Sequence, residues 1–167
     1  VGETYGIYDA IRQYSGIFID RSKDIVLKGV KQYFNYGLAL VCQDTENLTV
    51  DGAFFAPEKG SGRFIASCAD FMQVCMCKGD INVTNSYFEG AGDDCLNVHG
   101  IHFAIVKIDG QKLTVRFMHP QSHGFNPLHA GDIIEFIDPN TLLTKGSAEI
   151  LSSTLINETE IELEASG

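Results

Sequence analysis

Three segments of this chain repeat one pattern of short strand and turn, and the repeat leaves few folds open. Each has a polar lead-in, two apolar residues one position apart, a Gly or Asn turn and a further apolar pair. The segments are KDIVLKGV (23–30), ENLTVDGAFF (46–55) and GDINVTNSYFEG (79–90). Equivalent apolar positions recur after 23 and then 33 residues, as at Ile25, Leu48 and Ile81. Because such repeats are typical of solenoids, the sequence predicts a parallel β-helix.

A second family of apolar segments alternates with the first and predicts further strands at 37–41, 64–67 and 95–100. The Pro and Gly residues of Ala56–Arg63 predict a loop that lengthens the middle coil. Helical periodicity is nearly absent, and only Gly6–Tyr14 fits either a helix or a loop. The predicted fold class is therefore all-β.

The pattern changes after His102, where apolar and polar residues begin to alternate as in antiparallel strands. Such strands are predicted at 103–108, 112–118, 132–137, 148–151 and 160–163. Asp109-Gly110 is a strong signal for a two-residue hairpin. We therefore predict two domains: a β-helix segment at 1–102 and a small antiparallel β-barrel-like module, incomplete at its end, at 103–167.

Composition narrows the function classes. Hydrophobic residues make up 44% of the 167 residues, enough for a packed core, and the formal net charge is −10. That charge argues against nucleic acid and polyanionic sugars as partners, since both need clustered Lys and Arg. No apolar run approaches the roughly 20 residues of a membrane span, and no signal peptide opens the chain.

The five cysteines do not form a metal-binding pattern. Zinc sites use paired hooks such as C-x-x-C, whereas Cys75 and Cys77 form a single C-x-C. The odd count also prevents complete pairing within the chain. We expect mostly buried thiols, no metal and no cofactor.

Three carboxylates are the strongest candidates for chemistry. Asp93 and Asp94 lie in GAGDDCLNVHG (90–100), and Asp70 interrupts the apolar segment FIASCADFMQVC. An Asp-Asp pair alone is most often a solvated turn. However, a carboxylate in an apolar segment is costly unless it is paired or functional. Asp70 precedes the pair by 23 and 24 residues, about one coil, which predicts that the three side chains lie on neighbouring coils.

Glycoside hydrolysis needs such a group of carboxylates, one protonated to assist the leaving group and one ionised to activate water or attack the sugar. The spacing fits both the inverting and the retaining geometry. Arg63 is a candidate to bind a sugar hydroxyl or to keep a carboxylate ionised. The alternative is that Arg63 is an arginine of a surface loop. His99 is a candidate donor to a sugar hydroxyl, or else a cap of the turn at Gly100. Asn97 shares the face of its strand with His99.

The stretch from Arg63 to Gly100 resembles the catalytic core of glycoside hydrolase family 110, the bacterial exo-α-1,3-galactosidases. The resemblance is carried by Ala69-Asp70, Cys77-Lys78-Gly79, Phe88-Glu89 and Asp93-Asp94 with Asn97-Val98-His99-Gly100. It implies a right-handed parallel β-helix with inserted β-barrel modules. It also implies an inverting, metal-independent enzyme that removes terminal α-1,3-linked galactose from glycans.

Carried over by position, the resemblance implies that Asp70, Asp93 and Asp94 are the catalytic carboxylates and that Glu89 and His99 contact sugar. We expect Asp70 to act as the acid and the Asp93/Asp94 pair as the base, and we take Asn97 as a further candidate for sugar binding. Glu89 equally fits a surface charge at a strand end. Phe71 replaces the small residue usual in the family, which predicts a reshaped subsite.

The chain is also much shorter than a family member. It is therefore expected to be a fragment that is inactive alone or self-associates through exposed solenoid ends. The resemblance further implies a periplasmic or extracellular location and a galactose-terminated glycan as partner.

Two other functions remain open. A polygalacturonase-like β-helix hydrolase also uses paired aspartates, but its anionic substrate needs basic residues, and only Arg63 and Lys78 lie near the site. A non-catalytic carbohydrate-binding β-helix needs aromatic platforms; the chain has no Trp, although 11 Phe and 6 Tyr are present.

Overall fold

The computed structural model describes residues 2–3, 5–6, 12 and 14–166. Every regular element in this part of the chain is a β-strand, so the all-β prediction is confirmed. The predicted helix or loop at Gly6–Tyr14 falls mostly outside the described residues. The chain divides into two compact units, Val1–Gly100 and Ile101–Gly167.

In the described residues of the first unit, ten short strands form three parallel sheets, and consecutive strands belong to the three sheets in rotation. The first sheet contains β1 (Ser15–Asp20), β4 (Leu38–Gln43), β7 (Met72–Cys75) and β10 (Asn97–His99). The second contains β2 (Lys23–Lys28), β5 (Glu46–Asp51) and β8 (Lys78–Thr84). The third contains β3 (Lys31–Gln32), β6 (Phe54–Phe55) and β9 (Tyr87–Phe88).

The register of the second sheet follows the repeat in the sequence. Ile25 pairs with Leu48, and Leu48 with Ile81, so the predicted intervals of 23 and 33 residues are confirmed. Each of these strands is followed by a turn that contains one residue in the left-handed conformation. These residues are Gly29 (φ 64°), Gly52 (φ 69°) and Asn85 (φ 52°). Gly and Asn tolerate this conformation better than other residues.

The strand predicted at 64–67 is wrong, because these residues form part of a turn and the strand of that coil begins at Met72. The buried Ser67 donates its hydroxyl to the Gly37 carbonyl at 2.6 Å. Ala66 N–H donates to the Gly90 carbonyl at 2.7 Å. The polar backbone is thus satisfied by neighbouring turns and by one isolated β-bridge between Asn35 and Ser67, rather than by a continuous strand ladder.

Aromatic residues fill the core of this unit beside the third sheet. Phe71 is fully buried, with its ring centroid 5.8 Å from that of Phe55 and 5.9 Å from that of Phe88. Leu48 and Val50 of β5 belong to the same core. Complete burial of a Phe side chain contributes roughly 1.5–3 kcal/mol, so Phe71 anchors the backbone directly after Asp70.

The second unit is one five-stranded antiparallel sheet with the strand order β11-β12-β15-β14-β13. Its strands are β11 (Phe103–Asp109), β12 (Lys112–Phe117), β13 (Ile133–Ile137), β14 (Thr144–Asn157) and β15 (Glu160–Ala165). The five predicted strands and the hairpin between β11 and β12 are confirmed. The long β14 pairs with β13 through its first half and with β15 through its second. In the described residues, no helix is long and apolar enough to cross a membrane.

Candidate active site

The turn that carries Asp93 and Asp94 lies directly against the turn that carries Asp70. Phe71 N–H donates to the Asp94 carbonyl at 2.9 Å. On its other side, the Asp70 carbonyl accepts from Ala39 N–H at 3.1 Å. The three aspartates therefore lie on adjacent coils, as the interval of one repeat predicts.

Two glycines allow the turns to approach this closely. A Cβ at Gly90 would lie 2.7 Å from the Phe64 carbonyl oxygen, and Gly90 also has a φ of 76°. A Cβ at Gly92 would lie 2.7 Å from the carbonyl carbon of Cys68. Both distances are far below van der Waals contact, so the GAGDD segment requires glycine at both positions.

Asp70 is a buried carboxylate, with 2% of its surface exposed. Its Oδ2 accepts from the Asn97 side-chain amide at 3.3 Å. Its Oδ1 has no hydrogen-bond partner among the described residues, although the Arg12 Nη1 lies 3.6 Å away. An incompletely satisfied buried carboxylate is costly for stability and is a recognised feature of functional sites.

Arg12 connects Asp70 to Asp93, because its Nη2 donates to Asp93 Oδ2. Arg12 was not among the residues predicted from the sequence. It lies 81 residues before Asp93 and outside the repeats that predicted the rest of the site. No periodic or motif signal marks it.

Asp93 and Asp94 face solvent, in contrast to Asp70. The Asp93 side chain is 43% exposed and takes part in the ion pair with Arg12. In the described part of the chain no ion pair forms at the Asp94 carboxylate, although its carbonyl is bonded to Phe71. The site thus combines one carboxyl shielded from water with two that water can reach.

Asn97 and His99 lie on the same face of β10, opposite Gln73 and Cys75 of β7. His99 Nδ1 is 2.9 Å from the Gly100 carbonyl, which can only accept, so this nitrogen is assigned as the donor. His99 Nε2 then accepts from the Gln73 amide at 3.3 Å. The contact with Gly100 matches the turn-capping alternative, and the predicted contacts of Asn97 and His99 with sugar stay predictions.

Arg63 and Glu89 make their contacts elsewhere. The Arg63 guanidinium lies 4.6 Å from the centre of the Phe34 ring. The Tyr87 hydroxyl donates to Glu89 at 2.5 Å, and this bond raises the pKa of Tyr87. Within the described residues neither Arg63 nor Glu89 forms an ion pair or hydrogen bond with the three aspartates, and their roles in sugar binding stay predictions.

The Phe71 ring lies in the core, and its predicted effect on a subsite stays a prediction. Cys42, Cys68 and Cys75 are buried as expected, whereas Cys95 is exposed. In the part of the chain that the structure describes, no group of three or more His, Cys, Asp or Glu side chains is arranged to hold a metal.

Comparison with known proteins finds relatives whose matched segments extend over both units. The family model described as GLAA-B beta-barrel domain II matches residues 112–166. Alpha-1,3-galactosidase A of Bacteroides thetaiotaomicron is 41% identical over 156 residues, which are 93% of this chain and 28% of that protein. The protein of the same name from Akkermansia muciniphila is 36% identical over 97% of this chain and 27% of its own length. Alpha-1,3-galactosidase B of Parabacteroides distasonis is 35% identical over 78% of this chain and 22% of its own length. The chain thus spans about a quarter of the length of these relatives.

Proposed function

Since the chain belongs to the family of the bacterial α-1,3-galactosidases, we propose that it forms the catalytic part of a glycoside hydrolase that removes terminal α-1,3-linked galactose from glycans. The proposal depends on one observation: the buried Asp70 and the exposed Asp93 lie on adjacent turns, and the Arg12 guanidinium contacts both carboxyl groups. The names of these relatives support the choice of galactose and of the linkage.

The environments of the carboxylates support a division of roles. In the proposed reaction Asp70 donates its proton to the glycosidic oxygen as the bond to the anomeric carbon breaks. The solvent-facing pair, Asp93 and Asp94, accepts a proton from the water that attacks that carbon from the opposite face. This is the inverting mechanism, and its first product is β-galactose.

The three parallel sheets of the first unit, with strands contributed in rotation, support our proposal of a right-handed parallel β-helix. In the relatives, chain outside the matched segment is available to cover its ends. We therefore propose that the isolated chain has little activity and self-associates through its first and last coils. We further propose a periplasmic or extracellular location, where glycans are accessible.

The decisive experiment measures galactose release from galactosyl-α-1,3-galactose, with the α-1,4 and α-1,6 isomers as controls. The chain is tested alone and in a hybrid enzyme, in which it replaces the matching segment of the Bacteroides thetaiotaomicron relative. Proton NMR during the first minutes identifies the anomer released. We expect the hybrid enzyme to release β-galactose from the α-1,3 substrate.

Asp93→Asn in the hybrid enzyme is expected to lower kcat by about 100- to 10,000-fold, the usual contribution of a general base, while galactose binding is kept. Asp109→Asn is the matched control, because Asp109 is an exposed aspartate at the end of β11, beside the hairpin turn. Undiminished turnover by Asp93→Asn contradicts the site assignment. Initial release of α-galactose contradicts inversion.

A further inference from the structure

In the described part of the chain, Arg12 is the only cationic side chain that forms an ion pair with any of the three aspartates. Its Nη1 lies 3.6 Å from Asp70 Oδ1 and its Nη2 donates to Asp93 Oδ2. The two nitrogens of one planar guanidinium thus serve two different carboxylates. A lysine ammonium has no such fork.

The contact differs from an ordinary surface ion pair, which contributes little to stability. The Asp70 side chain is only 3% exposed, and its Oδ1 is the oxygen without a hydrogen-bond partner in the described residues. Asp93 is anchored to the neighbouring coil by its turn, so one guanidinium contacts a carboxyl group on each of two coils. It can pair with the ionised Asp93 and donate to a lone pair of Asp70 whether or not Asp70 carries the proton that the proposed reaction transfers.

We propose that Arg12 is a positioning residue, whose guanidinium sets the separation and orientation of Asp70 and Asp93 for acid and base catalysis without binding the sugar. The proposal rests on the proposed function, because it assigns Arg12 to that same site. It makes a distinct claim, however: loss of Arg12 impairs the chemical step and leaves substrate affinity nearly unchanged.

The test compares three variants of the hybrid enzyme by kcat and KM for galactosyl-α-1,3-galactose. Arg12→Met removes the charge but keeps a long side chain, and Arg12→Lys keeps the charge without the fork. Arg21→Met is the matched control, because Arg21 is 68% exposed and pairs with the carboxylate of its neighbour Asp20.

We expect Arg12→Met to lower kcat about 100-fold, the size of effect that a misplacement of about 1 Å produces, with KM within about threefold of the parent value. Arg12→Lys recovers part of the lost kcat, and Arg21→Met changes neither constant. A rise in KM alone makes Arg12 a sugar-binding residue and overturns the proposal. Unchanged kcat overturns it as well.

A second measurement separates this proposal from the proposed function. In the 167-residue chain, Arg12→Met is expected to lower the urea midpoint of unfolding, and to lower it less when Asp70 is already Asn. Equal shifts in both backgrounds mean that the ion pair does not form, which overturns the role of Arg12. If the hybrid enzyme is inactive with the parent sequence, the proposed function fails, and the two urea midpoints still decide whether Arg12 holds Asp70.

Discussion

Gly92→Ala tests whether the site depends on the close approach of two turns. The added Cβ would lie 2.7 Å from both the carbonyl carbon and the oxygen of Cys68, and 2.8 Å from the Ser67 oxygen. Ordinary contact begins at 3.4 Å, so the turn must move by roughly 0.7 Å. The atoms in the way are backbone and cannot rotate aside. Gly92 is not in the left-handed region, so the cost comes from contact alone.

Overpacking of this kind costs about 1–3 kcal/mol. With a urea dependence of about 1–3 kcal/mol per molar for a small protein, the midpoint of unfolding should fall by about 1 M. Because the turn also carries Asp93 and Asp94, kcat of the hybrid enzyme should fall by up to about 100-fold. Urea titration followed by far-ultraviolet circular dichroism measures the first effect, and galactose release measures the second.

Gly100→Ala is the matched control for this prediction. The Cβ at Gly100 would meet only the Met76 sulfur at 3.8 Å, an ordinary contact. It should leave both the midpoint and kcat nearly unchanged. If Gly92→Ala is as stable as Gly100→Ala, the two turns are not in close contact, and Asp70, Asp93 and Asp94 do not share a site on adjacent coils.

Two further predictions concern groups outside the site. The hydrogen bond with Cys42, whose Sγ is 3.7 Å away, lowers the pKa of Cys77 to about 7. Alkylation of Cys77 by iodoacetamide in the folded chain, followed by peptide mass spectrometry, should therefore reach half its maximal rate near that pH. A half-maximum near pH 8.5 or above contradicts the interaction with Cys42. Hydrogen bonds from Arg116 and Asn157 lower the pKa of Glu160 below the usual 4.5, so its carboxylate stabilises the fold above pH 4.5 and this contribution is lost as the pH falls through the lowered pKa. Glu160→Gln should therefore lower Tm at pH 7 and match the parent chain under strongly acidic conditions, and an equal Tm difference at both pH values contradicts the assignment.

Much of the first unit was predictable because its order is periodic. A residue at one position of a coil pairs with the residue one repeat later, so the intervals from Ile25 to Leu48 to Ile81 predict the register directly. The interval of about one repeat between Asp70 and the Asp93/Asp94 pair likewise predicted that they lie on neighbouring coils. The hairpin after Asp109 was predictable for a different reason, since Gly110 adopts the left-handed conformation (φ 63°) that a tight hairpin turn needs.

The errors arose where contacts between turns outweigh local propensity. The segment 64–67 has the composition of a strand, but Ser67 and its neighbours bond to the carbonyls of Gly37 and Gly90 instead. Arg12 was missed because its partners lie far along the chain and no repeat relates it to them.

The long middle coil explains why the Asp70 side chain is buried. Its turn makes hydrogen bonds with the coils on both sides, to Gly37 through Ser67 and to Asp94 through Phe71. Asp70 is therefore enclosed by a neighbouring turn on each side, which accounts for its burial. The position of a turn in the stack of coils thus sets how far its side chains are shielded from water.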